Sequence, residues 1–121
     1  MKHILIVDDE PNIVMTLEYF LSSKGYKVSI GRDGTEALEA LERERFDLVL
    51  LDITMPDVNG YEICERIKNH PEWKETIVVF LSAKSKQSDI EKGMALGAED
   101  YIVKPFSTKQ LSSRIAQLLN A

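Results

Sequence analysis

Three acidic residues in a row, Asp8-Asp9-Glu10, follow directly on the apolar run Ile4 to Val7, and a fourth acid, Asp52, follows Val49-Leu50-Leu51. Farther along, Ser82 and Lys104 close two more apolar runs. Carboxylates gathered at one edge of a sheet repel one another. At ~5 Å and an effective dielectric of about 20 each pair costs roughly 3 kcal/mol, enough to raise pKa values by about two units. A bound cation relieves that repulsion. An oxygen-only donor set, without clustered Cys or His, suits a hard ion such as Mg2+, which keeps several waters and a phosphate oxygen. With Lys104 as counter-charge and Ser82 as hydroxyl, such a group could hold a tetrahedral anion attached to or approaching the Asp52 carboxylate. That is phosphoryl-transfer chemistry with Asp as nucleophile. A plainer reading makes Asp8, Asp9 and Glu10 caps of a helix starting near Pro11. It leaves Asp52 unexplained, unless Asp52 is merely a solvated strand end.

The elements that must position these residues follow from the hydrophobic pattern. Short apolar, β-branched runs alternate with longer amphipathic stretches, the pattern of βα units around a parallel sheet. Strands are predicted over Ile4 to Val7, Lys27 to Ile30, Leu48 to Leu51, Ile77 to Leu81 and Tyr101 to Val103. Three of these are apolar throughout, as strands buried on both faces are. Helical stripes run through Ile13, Val14, Leu17 and Leu21, through Ala37, Leu38 and Leu41, and through Ile63 and Ile67. Gly25 and Gly97 stand where left-handed C-caps would stop the first and fourth helices. Ser107 and Gln110 form a capping box for the last helix, with a predicted buried stripe of Leu111, Ile115, Leu118 and Leu119. The fold expected is an α/β three-layer sandwich: five parallel strands in the order 2-1-3-4-5, flanked by five helices in a flavodoxin-like doubly wound arrangement. Ligands of such sheets sit at the carboxyl ends of the strands, where strands one, three, four and five end in the polar residues above.

Composition narrows the classes. The chain has 121 residues, 44% of them hydrophobic, which fits one domain spanning 1–121 with its own core. Its net charge of −5 disfavours unaided binding to nucleic acid or an anionic membrane. Cys64 is the one cysteine, so there is no internal disulfide and no cysteine-rich metal site. No apolar run approaches ~20 residues and the N-terminus is unlike a signal peptide, so a cytoplasmic location is expected.

At this point the chain resembles the receiver domain of bacterial two-component response regulators, the CheY-like receivers, over essentially its whole length. The residues that carry the resemblance are Ile4 to Glu10, Leu51-Asp52-Ile53-Thr54-Met55-Pro56-Asp57-Val58-Asn59-Gly60, Leu81-Ser82-Ala83, and Asp100-Tyr101-Ile102-Val103-Lys104-Pro105-Phe106. The resemblance implies that Asp52 is the phosphoacceptor. It implies that Asp8 and Asp9 position Mg2+, with Asp52 and the backbone carbonyl of Thr54 completing the protein ligands. Ser82 and Ala83, with Lys104, would bind the phosphoryl group, Tyr101 would be the switch aromatic, and Lys104-Pro105 a cis peptide. Asp100 and Arg114 fall on the face that serves as output or dimer surface, although a solvated charge pair explains them as simply. Thr54 and Lys84 occupy positions that tune the phosphoryl group's lifetime.

The implied donor is a histidine kinase, a histidine phosphotransfer protein or a small acyl phosphate. The implied recipient of the signal is an output partner or a fused effector domain, and a homodimer through the last helices and strand five is one form that output takes. Such a domain catalyses only its own phosphorylation and dephosphorylation. Phosphatases similar to the haloacid dehalogenases are the rival enzyme class, but they carry a second Asp two residues after the nucleophile, where this chain has Thr54. No Walker motif is present. Cys64, His3, His70 and Trp73 are expected to be structural.

Overall fold

The computed structural model describes residues 1–120; Ala121, the last residue of the expected domain, lies outside them. Its elements are β1 (His3–Val7), α1 (Pro11–Ser23), β2 (Lys27–Gly31), α2 (Gly34–Arg43), β3 (Leu48–Leu51), α3 (Gly60–Asn69), β4 (Ile77–Ser82), α4 (Gln87–Ala95), β5 (Asp100–Val103) and α5 (Thr108–Leu119). The five strands are parallel and ordered β2-β1-β3-β4-β5, as the pattern predicts. Four of the five strands run one residue beyond their predicted limits. The extension of β4 makes Ser82 a ladder residue, in register with Val103.

Alternation along the strands divides the core into two layers, because successive side chains of a strand point to opposite faces. Leu5, Val7, Val49, Leu51, Val78 and Phe80 face α2 and α3, where they meet Ala37, Leu41, Ile63 and Ile67. Ile4, Ile6, Leu48, Leu50, Val79 and Leu81 face α1 and α5, where they meet Val14, Leu17, Leu21, Leu111 and Ile115. Both faces of β1, β3 and β4 are therefore covered, which is why those strands read as unbroken apolar runs. Cys64 is fully buried in the first layer, and burial pushes its thiol up to about 11, so it serves as a small apolar side chain.

Local signals explain the ends of the helices. Asp33, Asn59 and Ser107 accept from the backbone N–H groups of Glu36, Glu62 and Gln110. Gly25 and Gly97 adopt φ of +94° and +103°, the left-handed cap that glycine takes without steric cost. The α5 stripe is narrower than expected. Leu111 and Ile115 are buried, while Leu118 and Leu119 pack only partly buried against the same layer. His3 is buried, its Nδ1–H donating to Arg45 O at 3.1 Å and its Nε2 hydrogen-bonded with Ser29 Oγ at 2.8 Å, and His70 stacks on Trp73 at 3.8 Å; both are structural contacts. Among the described residues no helix is long and apolar enough to cross a membrane.

Candidate phosphoryl-transfer site

The register brings the polar strand ends together. Val7 of β1 lies opposite Leu51 of β3, and the backbone N–H of Asp52 donates to Val7 O at 2.9 Å. Asp8 and Asp52 thus leave adjacent central strands at the same edge of the sheet. Lys104 leaves β5 beside Ser82, its N–H donating to Ser82 O at 2.8 Å. The Lys104-Pro105 peptide is cis.

Lys104 reaches back across this edge. Its ammonium, on a side chain 9% exposed, lies 2.9 Å from Asp8 Oδ2, 2.9 Å from Glu10 Oε1 and 3.8 Å from Asp52 Oδ2. Asp8 and Asp52 are themselves 2% and 5% exposed. Burial alone works against the charged ammonium, but the hydrogen bonds to Asp8 and Glu10 and the charges of Asp52 and Asp8 outweigh it, and its pKa rises. One lysine does not balance three carboxylates. Burial, followed by the charge of Asp8, pushes the Asp52 carboxyl up to about 6, against the opposing pull of Lys104 and the Ile53 N–H. Asp9 adds the smallest upward push.

The two oxygens of Asp52 have different partners. Oδ1 accepts from the Ile53 N–H at 2.8 Å. Oδ2 faces Lys104 at 3.8 Å, too far for a hydrogen bond, and is the oxygen with an uncommitted lone pair. Ser82 is 1% exposed, and its Oγ accepts from the Lys84 N–H at 3.1 Å, so its own O–H remains free to donate to an anion at the site. The residue types also fit a divalent cation. One carboxylate oxygen each from Asp8, Glu10 and Asp52 lies within 4.8 Å of the others, and the donors are all hard oxygens.

Other expected residues lie around this centre. Asp9, Thr54 and Ala83 are exposed; Asp9 is outside the three-oxygen cluster, and Glu10, which the resemblance does not count among the cation's ligands, is inside it. The one signal for Glu10 was its place in the acidic run. Tyr101 is half-buried, its ring 5.7 Å from that of Phe80 and its hydroxyl donating to Lys84 O at 2.7 Å. Asp100 and Arg114 pair with each other at 2.7 Å on the β5–α5 face.

Gly60 protects the loop that follows Asp52. A Cβ there would collide with Asp52 O and stand 2.9 Å from the Ile53 Cα, backbone that cannot step aside. Gly60→Ala is therefore expected to lower stability by about 1–3 kcal/mol through overpacking, measurable as a fall in the urea midpoint.

Known proteins resemble this chain over nearly its whole length. The family model of the response regulator receiver domain matches residues 4–116. The chain is 39% identical over 118 residues to the alkaline phosphatase synthesis transcriptional regulatory protein PhoP of Bacillus subtilis, and 44% identical to the probable transcriptional regulator ycf27 of Porphyridium aerugineum. Each match covers 98% of this chain and 48% of the relative. The chain thus spans about half the length of these curated relatives. Among solved structures, the BeF3-activated DrrB receiver domain superposes with a TM-score of 0.92 at 35% identity, covering 100% of this chain and 99% of that one. The chain belongs to the response regulator receiver domain family.

Proposed function

We propose that this receiver domain is a signalling switch that takes a phosphoryl group onto Asp52 Oδ2. The observation that carries the reading is the buried group of Asp8, Asp52, Ser82 and Lys104 at one sheet edge, with Asp52 Oδ2 uncommitted. A cation held by Asp8, Asp52 and the Thr54 carbonyl, with Asp9 and Glu10 beside it, would supply Lewis-acid stabilisation of the phosphoryl oxygens. Lys104 offsets oxygen charge as it develops during in-line transfer. The Ile53 N–H fixes the carboxylate plane through Oδ1, and Ser82, with the Ala83 backbone beside it, offers the donor for a phosphoryl oxygen. The donor is a phosphohistidine on a histidine kinase or phosphotransfer protein, or a small acyl phosphate. No separate substrate is turned over.

The added group carries roughly −1.5 to −2 charge. New charge-assisted contacts from Ser82 and Lys104 are worth about 1.5–3 kcal/mol each, comparable with the roughly 5.5 kcal/mol that moves a two-state balance from 1:99 to 99:1. Tyr101 fits such a balance, since its half-buried ring and its bond to Lys84 O form an arrangement that phosphorylation has only to favour over an outward one. The changed surface of α4, β5 and α5, which includes Asp100 and Arg114, then meets an output partner, a fused effector domain or a second copy of the chain. Because curated relatives of twice this length are transcriptional regulators, DNA contact is assigned to such an effector and not to this domain. The setting is the bacterial cytoplasm, where the phosphohistidine donors act.

Incubation with acetyl phosphate and Mg2+, followed by intact mass measurement, tests the proposal. One added phosphoryl group is expected, and none when the cation is chelated. A mass that never changes, under conditions in which another receiver is modified, would overturn it.

A further inference from the structure

Helix α4 is fastened to the domain in a different way from its neighbours. Gly93 is its one buried residue, whereas α1 buries Val14, Leu17 and Leu21 and α3 buries Ile63, Cys64 and Ile67. Its N-cap residue, Lys86, makes no side-chain cap. With so little apolar area removed from water, hydrophobic anchoring of α4 is weak, and polar tethers decide where it sits.

Those tethers come from an aromatic platform beneath it. Tyr61 of α3 and Tyr101 of β5 flank Phe80 of β4, with ring centroids 5.6 Å and 5.7 Å from that of Phe80. Gly93 rests on the platform so closely that a Cβ would stand 3.0 Å from the Phe80 ring and 3.2 Å from the Tyr101 ring. Two hydroxyls rise from it. That of Tyr101 donates to Lys84 O, in the loop before α4, at 2.7 Å. That of Tyr61 donates to Asp89 O, in the first turn of α4, at 3.0 Å. The ammonium of Lys92, three residues on, lies 4.5 Å from the centre of the Tyr61 ring, within the range of a cation–π contact. Tyr61 therefore holds α4 at two points one turn apart, from a residue that belongs to α3.

We propose that Tyr61 is a positioning residue of the switch, whose hydroxyl and ring hold α4 where the Tyr101 hydroxyl can reach the Lys84 carbonyl. The inference rests on the reading of Ser82 and Tyr101 as the groups that respond to Asp52. It adds a third participant and makes α3 part of the path from Asp52 to the surface. Loss of the Tyr61 hydroxyl frees the first turn of α4 and uncouples the helix from Tyr101, while the ring keeps the core filled.

Hydrogen exchange of the α4 amides, compared between the wild type and Tyr61→Phe before and after treatment with acetyl phosphate and Mg2+, tests this. In the unmodified variant α4 is expected to exchange about five-fold faster, the equivalent of about 1 kcal/mol for one hydrogen bond, with β1 and β3 amides unchanged. The variant is expected to take up the phosphoryl group as the wild type does, yet to show less than about half of the wild-type change in α4 on phosphorylation. A purely structural tyrosine would not alter that last difference. Tyr61→Leu, which also removes the seat for Lys92, is expected to go further in the same direction. Wild-type exchange in unmodified Tyr61→Phe, together with a full response to phosphorylation, would overturn the inference. A wild type that takes no phosphoryl group would sink the switch reading and the coupling with it, and the comparison of unmodified proteins would still judge the tether.

Discussion

Lys104→Ala is expected to lose about 3 kcal/mol of stability at pH 7.5 without divalent cation, and most of its capacity to be phosphorylated. Removing one partner of a buried ionic group costs about 3–5 kcal/mol, because the opposite charges stay buried and unpaired. Here the residues left behind are Asp8 and Asp52, both nearly inaccessible, with Glu10 at the rim. The pH dependence carries the signature. In the wild type the lysine's folded pKa is raised, so its contribution is complete below its unfolded value and fades only as pH rises through the folded one, well above neutrality. In the variant, Asp52 loses the one nearby cation that pulled its pKa down from above, so its folded value exceeds about 6. An acid whose folded pKa is raised contributes stability that is present at low pH and lost as pH rises through that value. The deficit of Lys104→Ala should therefore shrink as pH falls from 7 toward 4, and millimolar Mg2+ at pH 7.5 should reduce it too. Urea titrations at three pH values, with and without Mg2+, measure this. A deficit below about 1 kcal/mol, the same at every pH, would contradict the charge balance described here.

The second large effect has the opposite sign for stability. Asp52→Asn should abolish phosphoryl uptake and yet fold more stably than the wild type in the absence of divalent cation. Asn keeps the oxygen that accepts from the Ile53 N–H while removing the charge that burial and Asp8 oppose. With the carboxyl raised from 3.8 to about 6, the wild type is penalised by about 3 kcal/mol once pH exceeds both values. Relaxation around the site lowers the expected gain to about 2 kcal/mol at pH 7.5. At pH 4, close to the unfolded value of 3.8, most of that penalty is gone, and the gain should fall below about 1 kcal/mol. Mg2+ should also narrow the gap, because a ligand of the native state stabilises the wild type that retains all its carboxylates. Denaturant midpoints at pH 4 and pH 7.5 read both trends. A variant less stable than the wild type at pH 7.5 would show that Asp52 is held by favourable contacts and is not under strain from its neighbours.

Much of this site was legible in the sequence for a physical reason. A parallel sheet covered on both faces leaves its central strands no choice but continuous apolar runs, and such runs point to their own polar ends. Asp8, Asp52, Ser82 and Lys104 could be found that way without knowing a single distance. The order 2-1-3-4-5 then decides that four of the five ends converge. What the pattern could not supply was direction. Asp9 and Glu10 are neighbours of equal charge in the chain, and only the turn into α1, where the Glu10 N–H donates to Asp8 Oδ1, sends the Glu10 carboxylate toward Lys104 and leaves Asp9 outside. Nor could periodicity reveal Tyr61. It precedes the Ile63 and Ile67 stripe on α3, and its value lies in a hydroxyl that meets Asp89, 28 residues away. Leu118 and Leu119 belong to the helical stripe of α5, but periodicity gives only the face of a helix and not how fully its last turn is covered.

The measurement closest to the central claim is the location of the phosphoryl group. After reaction with acetyl phosphate and Mg2+, borohydride reduction converts an acyl phosphate to an alcohol and marks the modified side chain permanently for peptide mapping. The account predicts that the mark falls on residue 52 alone and is lost in the Lys104→Ala variant or without the cation. A mark on Asp8, Asp9 or any other residue, or no mark from protein that has gained the phosphoryl mass, would contradict it.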